Sequence, residues 1–257
     1  VSRDPKERFS DRVDDYVRYR PGYPDGVREL LVRVGRLGPG RVVADLGSGT
    51  GIFAQLLLET GAHVVGVEPN AAMRAAGERA LAMPLASGAF ESVDASAEAT
   101  GLAPASVALV TAAQAFHWFD PVRARAELVR ILEPGGQVAL VWNQRKDTPL
   151  NREYEEMLGR FAPDYANVRE RDRAAEPRIR AFFSPAAASC ATFDNAQRLD
   201  ASGLRGRLES SSYAPRAQSP LYLPMMEQLD AIFRTHEQGG HVTIAYETVV
   251  WYGGLAG

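Results

Sequence analysis

Cysteine is nearly absent: Cys190 is the only one in 257 residues. A single thiol closes no internal disulfide, and with only four histidines it offers no paired Cys or His spacing for zinc. Lysine is scarce too, since only Lys6 and Lys146 are lysines among the 29 basic residues. A large excess of either charge is missing, with 29 basic and 32 acidic residues. The formal net charge is −3, so no global field draws in nucleic acid or an anionic membrane. No apolar run approaches the roughly 18–20 residues of a membrane span. The polar start VSRDPKERFS lacks a signal-peptide pattern, and a reduced, cytoplasmic protein is expected. With 46% hydrophobic and 24% charged residues, disordered and collagen-like chains are excluded. One large domain, or one with an inserted lid, suits this length better than two equal domains.

What is present is an alternation of short β-branched runs with helical patterns, which predicts an α/β fold: a mostly parallel sheet covered by helices. Strands are expected at Arg41–Leu46, His63–Val67, Val107–Ala112 and Gln137–Trp142, with a weaker one near Ala89–Asp94. Helices fit between them at Ile52–Thr60, Asn70–Ala80 and Pro121–Leu132. The last has Asp120 as N-cap, Pro121 at its first position and Glu133–Gly136 as its stop. Two helices, Phe9–Arg20 and Tyr23–Arg36, precede this unit. After it, Leu150–Phe183 reads as helical, and Ala191–Leu199 and His241–Trp251 read as strands around a helix at Leu221–Thr235. The break near Asn143–Pro149 starts a lid inserted before these last two strands.

The strongest site signal is VVADLGSGTG at 42–51, a buried strand running through glycines into a helix. Gly47, Gly49 and Gly51 permit a sharp turn and a close approach to a ligand. The helix start adds free N–H groups and partial positive charge. Glu68 ends the next strand 17 residues after Gly51, where a carboxylate can accept both hydroxyls of an adenosine ribose. Counted from Gly47, the third glycine of the dinucleotide fingerprint would fall at Ile52. The spacing G-x-G-x-G after Asp45 is that of S-adenosylmethionine (SAM) binding, and a nicotinamide dinucleotide becomes the lesser alternative.

Through these residues the chain resembles the class I SAM-dependent methyltransferases of the small type 11 kind. It looks closest to the branch with trans-aconitate methyltransferase-like proteins. The stretch Tyr19–Pro24, AQAFHWFD at 113–120, LEPGGQVALVWN at 132–143 and SSSYAP at 210–215 carry the resemblance beside the glycine motif. It implies a Rossmann-like sheet of seven strands with the last antiparallel. It also implies one domain over 1–257: cap helices in 1–40, a SAM-binding core in 41–143, a helical lid in 144–187, and C-terminal strands and helix in 188–257. For matched positions it implies that Asp45, Gly47 and Gly49 line the methionine end of SAM and that Glu68 holds the ribose. Ser96 and Ala97 pass the adenine edge, and Gln114 sits near the sulfonium. Ser96 stands where relatives often have Asp, which puts one adenine contact in doubt; Ala108 replaces an Asp whose role is usually structural.

Other residues have a packing reading beside a functional one. Tyr16, Tyr19 and Arg20 end the first helix; Arg20 is either solvated or paired with the SAM carboxylate, as a cap over the cofactor would place it. His117, between Phe116 and Trp118 at the carboxyl edge of a strand, is either buried in an aromatic cluster or lines the acceptor pocket. A neutral imidazole there accepts a proton or donates a hydrogen bond to an acceptor carboxylate. The five arginines within 169–180 are a solvated helix face or an attractor for a carboxylate. Trp142 reads as core and Asn143 as a residue at the pocket mouth. His63, His236 and His241 read as structural or surface residues. The expected activity is methyl transfer from SAM to a small-molecule acceptor, with a carboxylate among the candidates, no metal, and no nucleic-acid or membrane partner. A non-catalytic SAM- or metabolite-binding module is the runner-up, and an NAD-type oxidoreductase is third. Oligomeric state carries no sequence signal.

Overall fold

The computed structural model describes residues 18–167 and 175–255. In chain order the elements are α1 (Asp25–Gly35), β1 (Val42–Leu46), α2 (Ile52–Leu58), β2 (His63–Val67), α3 (Ala71–Ala80), α4 (Ala82–Ser87) and β3 (Phe90–Val93). They continue with β4 (Val107–Ala113), a 3-10 turn at Phe116–Trp118, α5 (Pro121–Ile131), β5 (Leu132–Arg145), α6 (Pro149–Phe161) and α7 (Ala175–Phe183). The chain then forms β6 (Ser189–Leu199), α8 (Ala201–Glu209), α9 (Tyr222–His236) and β7 (Val242–Gly253).

Seven strands make one sheet in the order β3-β2-β1-β4-β5-β7-β6. The pairings among β1 to β5 are parallel, whereas β7 runs antiparallel to both β5 and β6. The central strands are apolar on both faces because helices cover both. On one face Val43, Val64, Leu109 and Val141 pack with Val27 and Leu30 of α1 and Phe53 and Leu57 of α2. On the other, Leu46, Val110 and Leu140 pack with Leu128 of α5 and Phe182 and Phe183 of α7. A third core joins Tyr154 and Leu158 of α6, Leu204 and Leu208 of α8 and Leu229 of α9 to Ile244 and Tyr246 of β7.

The expected strands and most helices are present, with shifted ends. Asp120 caps α5 by accepting from the amides of Val122 (3.0 Å) and Arg123 (3.1 Å), with Pro121 next to it as expected. The expected stop at Glu133–Gly136 is instead drawn into β5, whose pairing with β4 shifts register between Val107 and Leu109. That strand also outruns Trp142 to Arg145, because β7 continues to pair with it as far as Tyr246. Helix over the whole of Leu150–Phe183 is corrected: α6 stops at Phe161, two residues before Pro163, whose ring and missing N–H oppose a continuing helix. The short helices α4 and α8 were not expected. Phe9–Arg20 lies almost wholly outside the described residues, apart from its helical end at Arg18 and Tyr19. No helix among the described residues is long and apolar enough to cross a membrane.

Leu158 is fully buried in the third core. Leu158→Ala should cost about 2–5 kcal/mol of unfolding free energy, from lost transfer energy and the residual cavity; urea titration of both chains measures it.

Candidate active site

The carboxyl ends of β1, β2 and β4 bring most of the singled-out residues together. The glycine loop leaves β1 and is tied to β2, since the amide of Gly47 donates to the Val67 carbonyl at 2.8 Å. All three glycines have positive φ: 66° at Gly47, 58° at Gly49 and 83° at Gly51. Their reasons differ. A Cβ on Gly47 would lie 2.6 Å from the Ala115 Cβ, and one on Gly51 would lie 2.8 Å from Leu81 Cδ1. Those two positions let neighbouring protein approach. A Cβ on Gly49 would meet the Met73 side chain at an ordinary 3.4 Å, and the Gly49 amide donates to Glu68 Oε2 at 2.9 Å.

Glu68 follows β2 and is 8% exposed. Its Oε1 accepts from the Asn70 amide at 2.8 Å. Burial raises its pKa, opposed by these two amides and by Arg74. Arg74 in turn donates to the Glu68 carbonyl at 2.9 Å. A carboxylate has about four lone-pair sites, so two backbone donors leave Glu68 room for further ones.

Asp45 is 1% exposed at the end of β1. Its Oδ1 accepts from Thr111 Oγ1 at 2.8 Å, while Oδ2 is buried with no partner among the described residues. Burial pushes its pKa up to about 7; the Thr111 hydrogen bond lowers it and the Glu68 charge raises it. A buried, half-satisfied carboxylate is costly without a partner. Asp45 therefore keeps an unmet hydrogen-bonding oxygen among the described residues.

Gln114 follows β4 with φ of 57°, its amide bonded to the Val141 carbonyl and its Nε2 3.4 Å from the Asn143 carbonyl. In the next turn Phe116 turns inward, edge-on to Phe182 (4.9 Å) and Trp142 (6.3 Å). This anchor leaves His117 half-buried at the sheet edge, its ring 4.7 Å from that of Trp118. The aromatic flank expected around His117 is thus split, with Phe116 serving the core. Trp142 is core as expected. Asn143 is occupied with the fold, donating to the Gly22 carbonyl (3.1 Å) and accepting from Asn195 (3.2 Å) and Thr248. Ser96 and Ala97 lie in the loop after β3, where the Ser96 carbonyl accepts from the Ala99 amide and Ala97 is buried.

Arg20 stands apart from this group: its Nη2 donates to the Ser210 carbonyl at 3.0 Å, at the end of α8. Of the expected arginine run, Arg169, Arg171 and Arg173 lie outside the described residues. Arg180 pairs with Glu176 and covers the Trp251 ring. Among the described residues, no group of three or more His, Cys, Asp or Glu could hold a metal.

One polar cluster escapes the sequence reading. Arg145, at the end of β5, and Arg207, on α8, meet Tyr154, Tyr165, Tyr213 and Tyr246. A signal existed: Leu204, Arg207 and Leu208 share one helical face, which puts an arginine on the buried side.

Comparisons with known proteins agree with this architecture. A family profile described as a methyltransferase domain matches residues 44–140. An uncharacterized methyltransferase of Mycobacterium tuberculosis is 39% identical over 177 residues, 68% of this chain and 67% of that one. A trans-aconitate 2-methyltransferase of Azoarcus is 32% identical over 157 residues, covering 60% and 59%. The solved structure of a proposed type II methyltransferase from Anaeromyxobacter dehalogenans superposes with a TM-score of 0.66 at 27% identity, covering 92% of this chain and 98% of that one.

The Asp45 carboxyl generates a pH prediction. Its pKa is near 3.8 unfolded and about 7 folded, so the folded state holds the extra proton between these values. Its stabilising contribution is full below pH 3.8 and is lost as pH rises through about 7. Asp45→Asn should remove that decline and make the ligand-free protein more stable at pH 8 by up to about 4 kcal/mol. Thermal unfolding of both chains across pH 4–8 checks this.

Proposed function

The chain belongs to the methyltransferase-domain family, and on that premise we propose that it transfers a methyl group from SAM to a small-molecule acceptor. The observation that carries the reading is the pairing of Asp45 and Glu68 across the glycine loop. One buried carboxylate oxygen has no donor among the described residues, and a second carboxylate accepts from the Gly49 amide. These residues fit SAM: Asp45 meets the methionine ammonium, Gly47 and Gly49 admit the methionine end, Gly51 shapes the turn, and Glu68 accepts from the ribose hydroxyls. Ser96 and Ala97 border the adenine, and Gln114 lies towards the sulfonium; Arg20, bonded to the Ser210 carbonyl, is not assigned to the cofactor. Residues 1–257 act as one domain, with the helices within 144–187 as a lid.

SAM, when bound, supplies an activated methyl carbon whose sulfonium leaves as a neutral thioether when the acceptor's lone pair displaces it. The protein's part is alignment and exclusion of water; proximity accounts for about 7–11 kcal/mol of barrier reduction in such reactions. A carboxylate acceptor loses no proton and needs only a cationic anchor. A hydroxyl or amine acceptor releases one proton, and His117, beside Gln114 at the β4 edge, is positioned to take it. We propose this pocket role for His117.

Calorimetry should show S-adenosylhomocysteine binding in preference to NAD. Glu68→Ala should weaken that binding about tenfold or more, since hydrogen bonds to a charged group contribute roughly 1.5–3 kcal/mol each. NAD bound at micromolar strength with no response to S-adenosylhomocysteine would overturn the reading, and tight binding without methyl transfer to any acceptor would favour the non-catalytic module. Transfer of labelled methyl into a metabolite extract, followed by mass spectrometry, identifies the acceptor.

His117→Ala should leave S-adenosylhomocysteine affinity nearly intact. If His117 is the base, turnover falls about 10²–10⁴-fold and the acidic limb of the pH profile disappears; if it only shapes the wall, KM rises. Loss of cofactor binding with an intact maximal rate would place His117 in the cofactor site instead.

A further inference from the structure

The buried cluster of Arg145 and Arg207 has more positive charge than the described residues neutralise. Arg145 donates from Nε to Glu155 (3.2 Å) and from Nη2 to the Tyr165 hydroxyl (2.7 Å), and lies over the Tyr154 ring at 5.4 Å. Arg207, only 5% exposed, has neutral partners alone: the Tyr246 hydroxyl at 3.3 Å and Ser211 Oγ at 3.0 Å. Among the described residues, Arg145 Nη1 and Arg207 Nη2 donate no hydrogen bond, and Glu155 is the one carboxylate paired with either arginine. A buried guanidinium without a counter-anion is strongly unfavourable.

A second observation points the same way. Tyr154 is 1% exposed, and its hydroxyl has no partner among the described residues although the charges of both arginines act on it. Such a hydroxyl normally finds an acceptor. Tyr213 is responding to the same excess. Burial alone would raise its pKa, but Arg145, Arg207 and Arg20 outweigh it and bring it down to about 8.

The cluster adjoins the proposed methyl-transfer edge. Gln114 reaches the Asn143 carbonyl, and Arg145 is two residues further along β5. Residues two apart in a strand share a face and lie about 7 Å apart. We infer that Arg145, Arg207 and Tyr154 form the subsite that anchors a carboxylate group of the methyl acceptor. Guanidinium forks match a carboxylate's two oxygens, and the ring walls of Tyr154, Tyr165, Tyr213 and Tyr246 suit a carboxylate borne on a carbon skeleton. The inference deepens the methyltransferase reading and rests on it for the word acceptor, while the anion site stands on its own geometry.

The test uses the full chain with malonate, benzoate and inorganic phosphate as probes, and S-adenosylhomocysteine titrated in parallel. A carboxylate should bind, raise the thermal midpoint, and shift the tyrosinate absorbance step assigned to Tyr213 to higher pH, since added negative charge disfavours the phenolate. Tyr213→Phe should remove that step. Tyr154→Phe deletes a hydroxyl without partner, so the ligand-free midpoint should hold while carboxylate affinity falls about tenfold. Arg145→Lys keeps charge but loses the fork and should weaken binding by about tenfold or more. Unchanged affinity in both variants, carboxylates without effect on midpoint or Tyr213, or phosphate bound more tightly than either carboxylate would each overturn the carboxylate subsite. S-adenosylhomocysteine binding with carboxylates silent sinks the subsite alone. Carboxylates binding with S-adenosylhomocysteine silent keeps the anion site and sinks the methyltransferase reading.

Discussion

The carboxylate of Glu68 is the constraint on which the site depends. It accepts from the amide of Gly49 in the loop after β1 and from the amide of Asn70 ahead of α3. One buried side chain thereby fixes two backbone segments that are 19 and 2 residues away in sequence. Asn70 in turn caps α3 through the amides of Ala72 and Met73. Charge-assisted bonds of this kind are the stronger class, and they hold the loop open as a shaped cradle before any ligand arrives.

Buried charge recurs as the organising theme. Among the described residues, Asp45 keeps one oxygen without a donor at the end of β1, and Arg207 has only neutral hydrogen-bond partners in the third core. Both arrangements cost stability in the free chain. They lie at the carboxyl end of the same sheet, one anionic and one cationic.

The core of the fold was legible because its signals are local. Doubly buried parallel strands read as near-continuous apolar runs, and Asp120, Pro121 and the glycines of the first loop announce element ends within a few residues. The short helices α4 and α8 were not legible, having six and nine residues and weak amphipathic pattern. Strand β5 gained its last residues from β7, a partner about a hundred positions away that no local window contains.

The sequence by itself determined the order of strands and helices, the cradle of Gly47, Gly49 and Gly51, and the acidic pair Asp45 and Glu68. Each of these follows from spacing along one short segment. Only tertiary structure decided that Gly47 is glycine because Ala115 lies against it, that Phe116 leaves the aromatic wall for the core, and that Asn143 ties the Gly22 stretch to the sheet. It also assembled Arg145, Arg207, Tyr154 and Tyr213 into one buried cluster. Their partnership arises where α6 and α8 cross the far end of β5 and β7, and burial of charge is a property of such crossings that residue spacing does not encode.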